Sequence, residues 1–390
     1  MLIKSKKRVQ IILAIIFFLL FLVGLNCLKD NNFFTVNQSN NLTVSNLQNL
    51  YQSNVQTDTV LIFEPNSYHY ECTPGYVKYF MDLGFNVDLV ADKKCQDSLE
   101  VLNPTKQIRI FNYDNLNEVS SNCEKLNSFF KKYKYILIET TDPSKKDLYE
   151  KLGFLDMKNS IFVAHDTEFI KNMGMSEYYD QNRVTTLGNF KDGIQVNPHY
   201  FGNIKLKNKN EKTKFFITSS SGRNYSYLVD AADKLKKEGL DFNVVVSGWN
   251  TQFSDKDIPE HLRNDFIFKH GLSYKDLYSE VEDADYIIIN LDPNNSNDNA
   301  FKNLRVSGSA QLAYGFSKPA LIDKNFANIY GMNSDNSFIF DGSSFYDAMR
   351  EAILLNNDGY KLKQNNLIKL SSDIYNCSLD NLKYILKNIK

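Results

Sequence analysis

Between residues 57 and 360 the chain alternates short apolar runs with stretches in which apolar residues return every three or four positions. "TVLIFEP", "FNVDLVA", "QIRIFNY", "KYILIET" and "SIFVAHD" are of the first kind, and "GYVKYFMDLG", "EKLNSFFKKY" and "KKDLYEKLG" stand between them. Runs of β-branched and aromatic residues followed by helical periods predict βαβ units and a parallel sheet. Around 190 to 212 the alternation lapses into a segment rich in Asn, Lys and Gly. It then restarts with "KFFITSS", "FNVVVSG", "DFIFKHG", "DYIIINL", "PALI" and "SFIFDG". In the helical stretch after "SSSGRN", Leu228, Ala231, Ala232 and Leu235 share one face. The pattern therefore predicts an α/β chain with two Rossmann-like domains facing a cleft, over 57–195 and 213–375, joined by a linker over 196–212. The amphipathic segment 376–390 is expected to cross back to the first domain.

The N-terminus follows another pattern. A basic tail, 1–8, precedes the apolar run "VQIILAIIFFLLFLVGLNCL" at 9–28. Its length of about 20 residues suits one transmembrane helix. The alternative, a cleaved signal peptide, has a shorter apolar region ending in small residues, and no such site follows here. Basic residues before the span place the N-terminus in the cytoplasm and the body in a Golgi- or ER-like lumen or outside the cell. The polar, Asn/Ser-rich segment 29–56 reads as a stem.

Composition narrows the partners. With 45 Lys and Arg against 46 Asp and Glu, the formal charge is −1 and the signs are intermixed, so no field for nucleic acid exists. No Cys/His pattern at metal spacing is present, and a metal site is not indicated. Cys72, Cys95, Cys123 and Cys377 are candidates for pairing in an oxidising lumen.

Two loops of the second domain suit an anion. In "RVSGSAQLAYGFSKPALI" (305–322) a helix begins at Ser-Gly behind Arg305 with no acidic residue in its first turn, and Gly315 reads as its stop. The first N–H groups of a helix lack internal partners and carry partial positive charge. Ser307, Gly308 and Ser309 therefore offer N–H and hydroxyl donors to a phosphate, and Arg305 adds charge. An ordinary N-cap on a packing helix is the other reading. "TSSSGRNYS" (218–226) offers a second turn, with Ser221, Gly222 and Arg223 between strand and helix. His165 and Asp166, after "IFVA", are candidates for acid/base work or for a structural strand cap. His69 and Tyr70 in "NSYHYECTPG" are candidates for contact with a second substrate, and His270 and Gly271 in "FKHGLS" for a nucleobase. The D-x-D in "EDAD" (282–285) sits where acidic residues face solvent.

From "FFITSSSGRNYSYLVDAADKL" through "FNVVVSGWN" and "FIFKHGLSYKDLYSEVEDADYIIINLDP" to "SGSAQLAYGFSKPALI", the second half resembles the donor-binding domain of GT-B fold glycosyltransferases. The resemblance is to a divergent, family-four-like member of the group that includes sucrose synthases and bacterial mannosyltransferases. "EPNSYHYECTPGYVKYFMDLGFNVDLV" and "FVAHDTEF" resemble the acceptor-side half. The likeness implies a membrane-anchored enzyme that moves a sugar from a nucleotide-diphosphate sugar to a glycan, protein or lipid acceptor. It implies neither metal nor other cofactor. It also implies His165 as the group that faces the sugar. The chain departs from the family in lacking two Glu eight positions apart near the Ser-Gly helix. That departure favours a second reading, a non-catalytic GT-B-like protein that binds a glycan or organises a complex.

Overall fold

In the computed structural model of the chain, residues 42, 44–103, 105–220, 222–248 and 253–389 are described. The apolar runs of the first half form β1 (Val44–Asn46), β2 (Thr59–Glu64), β3 (Asn86–Asp92), β4 (Ile108–Tyr113), β5 (Tyr135–Ile138), β6 (Ser160–Ala164), β7 (Val184–Thr186) and β8 (Ile194–Gln195). These pair in the order β1-β4-β3-β2-β5-β6-β7-β8, every pair parallel. The second half forms β9 (Thr213–Thr218), β10 (Phe242–Gly248), β11 (Phe266–His270), β12 (Tyr286–Ile289), β13 (Ala320–Asp323) and β14 (Phe338–Phe340). Their order is β11-β10-β9-β12-β13-β14, again all parallel. Leaving aside the edge strand β1, each sheet starts in its middle, at β2 or β9, winds outward, then resumes on the other side of that strand. That reversal leaves a crevice at the carboxyl ends of β2 and β5 in one sheet, and of β9 and β12 in the other.

Five helices matter for the site: α1 (Thr73–Asp82), α2 (Ser226–Lys237), α3 (Tyr274–Asp283), α4 (Gly308–Phe316) and α5 (Asn357–Asn388). In α2 the expected stripe of Leu228, Ala231, Ala232 and Leu235 is buried, and lysines in its last turn face the negative end of the dipole. α4 does not stop at Gly315. It continues to Phe316, and Ser317 takes the left-handed cap with φ 53°. Gly315 serves instead as a contact point: a Cβ there would lie 2.1 Å from the Phe201 ring and 2.7 Å from the His199 carbonyl oxygen. Gly75 does the same in α1, where a Cβ would meet the Pro198 backbone at 2.6 Å. Both glycines let helices from opposite halves press on the same connecting segment.

Two boundaries differ from the sequence expectation. Residues 44–50, placed in the stem by their polarity, supply β1 on the sheet edge, with Leu47 and Leu50 fully buried behind it. The C-terminal helix does not begin near residue 376. It is one helix of 32 residues, with Leu367 in the second domain's core and Leu382 and Ile385 in the first domain's. Among the described residues, Cys72, Cys95, Cys123 and Cys377 form no disulfide. The candidate span 9–28 lies outside the described residues; among those described, no helix is long and apolar enough to cross a membrane.

Two carboxylates, Glu64 as the last residue of β2 and Glu139 just after β5, end up fully buried. Glu64 accepts from the Thr140 hydroxyl at 2.5 Å and the Asn66 N–H at 2.6 Å. Burial nevertheless dominates and pushes its pKa up to about 8. Glu139, bonded by Thr73 at 2.8 Å, is raised as well, by burial and then by Glu64.

Two outcomes follow for the fold. Gly315→Ala should cost about 1–3 kcal/mol by overpacking, measured as a shift in denaturation midpoint. Because the folded state holds the Glu64 proton more tightly than the unfolded chain, stability should fall as pH rises from about 4.5 to 8. Denaturant titrations of Glu64→Gln should show a shallower decline over that window.

Candidate functional site

The carboxyl ends of the two sheets enclose a cavity of about 850 Å³, in the upper part of the ordinary range for ligand sites. One wall comes from the loop after β2, with Tyr68, His69, Tyr70 and Glu71, and from Lys94 and Asp97. The opposite wall comes from the second domain: Thr218 at the end of β9, Ser220 and Arg223 after it, Tyr274 and Tyr278 of α3, Asn290 and Phe301 after β12, and Ser307, Gly308 and Ser309 at the head of α4. The two anion-suited turns thus open onto one space. They are also tied together, since the Thr218 and Ser309 hydroxyls lie 2.5 Å apart.

The donors on this wall have distinct surroundings. Gly308 and Ser309 are the first two helical residues of α4, so their N–H groups have no carbonyl one turn back to bond. The Ser307 N–H is already taken by the Tyr330 hydroxyl at 3.2 Å. A Cβ on Gly308 would meet no protein atom within 4 Å. The Arg223 guanidinium pairs with the buried carboxylate of Asp298 and lies 5.2 Å from the centre of the Phe301 ring. Asp298 also accepts from the Asp292 N–H at 2.9 Å, and Asn295 donates to the Gly222 carbonyl at 3.1 Å. The segment after β12 therefore holds Gly222 and Arg223 in place. Gly222, with φ 76°, and Arg223 also border a smaller cavity of about 400 Å³ on the far side of that turn.

On the first-domain wall, His69 has a left-handed backbone, φ 67°, a conformation that costs a non-glycine residue about 1–2 kcal/mol. Its ring stacks on His165 with centroids 4.3 Å apart, and its Nδ1 lies 3.3 Å from Glu71 Oε1. Glu71 Oε2 accepts from the Tyr274 hydroxyl at 3.0 Å across the cleft. Burial opposes the charge on Glu71, but the His69 hydrogen bond and charge, with the Tyr274 hydroxyl, outweigh it and hold its pKa near 2. Burial likewise opposes the charge on His69, and Glu71 and Glu64 together raise its pKa above the ordinary imidazole value. His165 is different: burial, then the neighbouring His69, keep it well below that value and neutral.

The other sequence candidates fall in separate places. His165 stands behind His69, 3.5 Å from the Thr140 hydroxyl, rather than on the cavity wall. Asp166 caps the short helix Thr167–Asn172 and accepts from Arg305 Nε at 2.6 Å. Arg305 thus binds the first domain and does not line the cavity. His270 is exposed at the end of β11, and Gly271, with φ 65°, turns the chain toward Leu272, which does reach the cavity. Ser221 lies outside the described residues. The D-x-D acids are committed elsewhere, Asp283 to Lys214 at 2.6 Å and Asp285 to the Asn210 and Lys214 N–H groups. Glu71 and Tyr274 are the residues that sequence patterns do not mark. Only the Ser273-x-x-Asp276 spacing at the start of α3 hinted at Tyr274, by fixing where that helix begins.

No family model matches the sequence, and no curated protein matches it. Solved structures do match across most of the chain. A mutant of S. aureus TarM, in complex with fondaparinux, α-GlcNAc-glycerol and UDP, is 10% identical, covers 85% of this chain and 100% of that one, and has a TM-score of 0.58. Arabidopsis thaliana UGT89C1, complexed with UDP-L-rhamnose, is 10% identical over 86% of this chain and 100% of that one, with a TM-score of 0.50. At such identities the likeness concerns the fold alone. Two parallel α/β sheets facing one cleft, in this order and over this length, are a glycosyltransferase-like fold of the GT-B type.

Proposed function

We propose that the chain transfers a sugar from a nucleotide-diphosphate sugar to an acceptor hydroxyl on a glycan, protein or lipid. The observation that carries this is the meeting in one cavity of unpartnered helix N–H groups and an arginine on one wall with a carboxylate-bound histidine on the other. His69 takes the proton of the acceptor hydroxyl as its oxygen bonds to the anomeric carbon. Glu71 fixes the imidazole tautomer and stabilises the imidazolium. The bond from that carbon to the phosphate oxygen breaks and its electron pair leaves on the diphosphate. The charge that develops there is met by Arg223 and by the N–H groups of Gly308 and Ser309. This route uses no metal ion or further cofactor. Residues 9–28 would anchor the enzyme in a membrane, with its body lumenal or outside the cell, and the TarM and UGT89C1 complexes with UDP and UDP-L-rhamnose support the choice of donor class.

One observation favours the second reading, a non-catalytic glycan-binding or scaffold protein. Arg223 and Arg305 are both already paired with buried carboxylates, Asp298 and Asp166, which lowers the charge on offer to a diphosphate.

The decisive measurement is a thermal-shift series on the full chain with UDP-, GDP- and ADP-linked sugars, followed by assay of nucleotide release. A transferase gains stability with at least one of them and releases its nucleotide; no shift with any sinks the donor site, and a shift without release supports the second reading. Gly308→Ala should leave the unliganded melting temperature unchanged, since the added methyl touches no protein atom. It should weaken binding of the active nucleotide about tenfold, or about 1.4 kcal/mol. Arg223→Gln should lower turnover about 10²-fold, the usual effect of removing one donor to a developing negative charge.

A further inference from the structure

We propose that Tyr274 is a positioning residue that assembles the His69–Glu71 pair only when the second domain is seated on the first. This rests on the transferase reading for its purpose, though not for its geometry. His69 and Glu71 belong to the loop after β2, whereas Tyr274 opens α3 in the other domain, 203 residues from Glu71 in sequence. The Glu71 carboxylate is bound at both oxygens, Oε1 near His69 Nδ1 at 3.3 Å and Oε2 by the Tyr274 hydroxyl at 3.0 Å. With each oxygen held, the carboxylate has one orientation.

Tyr274 is itself fixed from the first domain. Its backbone N–H, in the first turn of α3, donates to Asp97 Oδ2 at 2.6 Å, so an acidic group from one domain caps the positive end of a helix from the other. Lys275 approaches Glu100 at 3.8 Å beside it. When the domains part, both bonds of Tyr274 are lost together, and Glu71 is released into the open cavity. Stacking on His165 then holds the His69 ring in place without the partner that sets its tautomer. Closure thereby becomes a condition for proton removal, which keeps the base idle in an empty, open cleft.

Groups facing His69 are Tyr68 and Glu71 on its own loop, Glu64 at the end of β2 and His165 at the end of β6, with Tyr274 acting through Glu71. Its titration therefore reports the latch. In the full-length protein with labelled histidines, the His69 ring resonance followed by NMR should titrate lower in Tyr274→Phe than in the wild type, by about half a pKa unit or more. Glu71→Gln should lower it too, and Tyr274→Phe should add nothing on that background, because the two act as one unit. Turnover should fall about tenfold in Tyr274→Phe, with the low-pH limb of the profile displaced and the dissociation constant for UDP within about twofold of wild type. A His69 titration indifferent to Tyr274→Phe, or a Tyr274 effect that persists when Glu71 is Gln, overturns the assignment. Absence of UDP binding to the wild type would instead count against the transferase reading and leave the titration to judge the latch.

Discussion

A parallel sheet gathers every loop of consequence at its carboxyl end, and each helix that follows begins there with N–H groups its own turn cannot satisfy. This protein sets two such ends against each other. The space between them is therefore bordered by unmet donors from both sides, and something acidic must answer them. Within the protein some answers come from the opposite half: Asp97 for the head of α3, and the Leu304 carbonyl for the N–H of Thr167 at 3.2 Å. Among the described residues none answers the N–H groups of Gly308 and Ser309, which border the cavity. The proposed donor site and the domain interface are two outcomes of one electrostatic requirement.

The same requirement explains the uneven fates of the charged residues. Arg305 looked as suitable for a phosphate as Arg223. It instead meets Asp166, a helix-capping carboxylate from the first domain, while Arg223 is steered by Asp298 from its own domain toward the cavity. A charge in such a cleft is defined less by its position in a motif than by which carboxylate reaches it first.

The fold was legible in the sequence to the extent that burial leaves a local trace. Strands covered on both faces read as continuous apolar runs, as in β2 with all six residues buried, and α2 showed its stripe directly. β1 had no such trace, being three residues of edge strand stabilised by Leu47 and Leu50 behind it. In α5, Ser371, Ser372, Asn376 and Ser378 interrupt the apolar period, so the helix read as starting late. Those polar residues lie where it passes between domains: Ser371 faces His199 at 3.1 Å, and the Ser378 hydroxyl accepts from the Asn197 N–H at 3.0 Å. Of the site, the two anion-suited turns were visible because glycine, serine and arginine between strand and helix form a local pattern. Glu71 and Tyr274 were not, because their meaning arises only when residues 203 positions apart are brought within a hydrogen bond.

That unbroken α5 helix also bears on how the two halves can move. At 32 residues it runs about 48 Å, bolted to one core by Leu367 and to the other by Leu382 and Ile385, with Tyr375 stacked on Tyr79 at 4.7 Å midway. A rod fastened at both ends resists swinging apart and yields more readily to twist about its own axis. Relative motion of the two halves is then easiest as torsion along this stiff spar, which slides one wall of the cavity past the other.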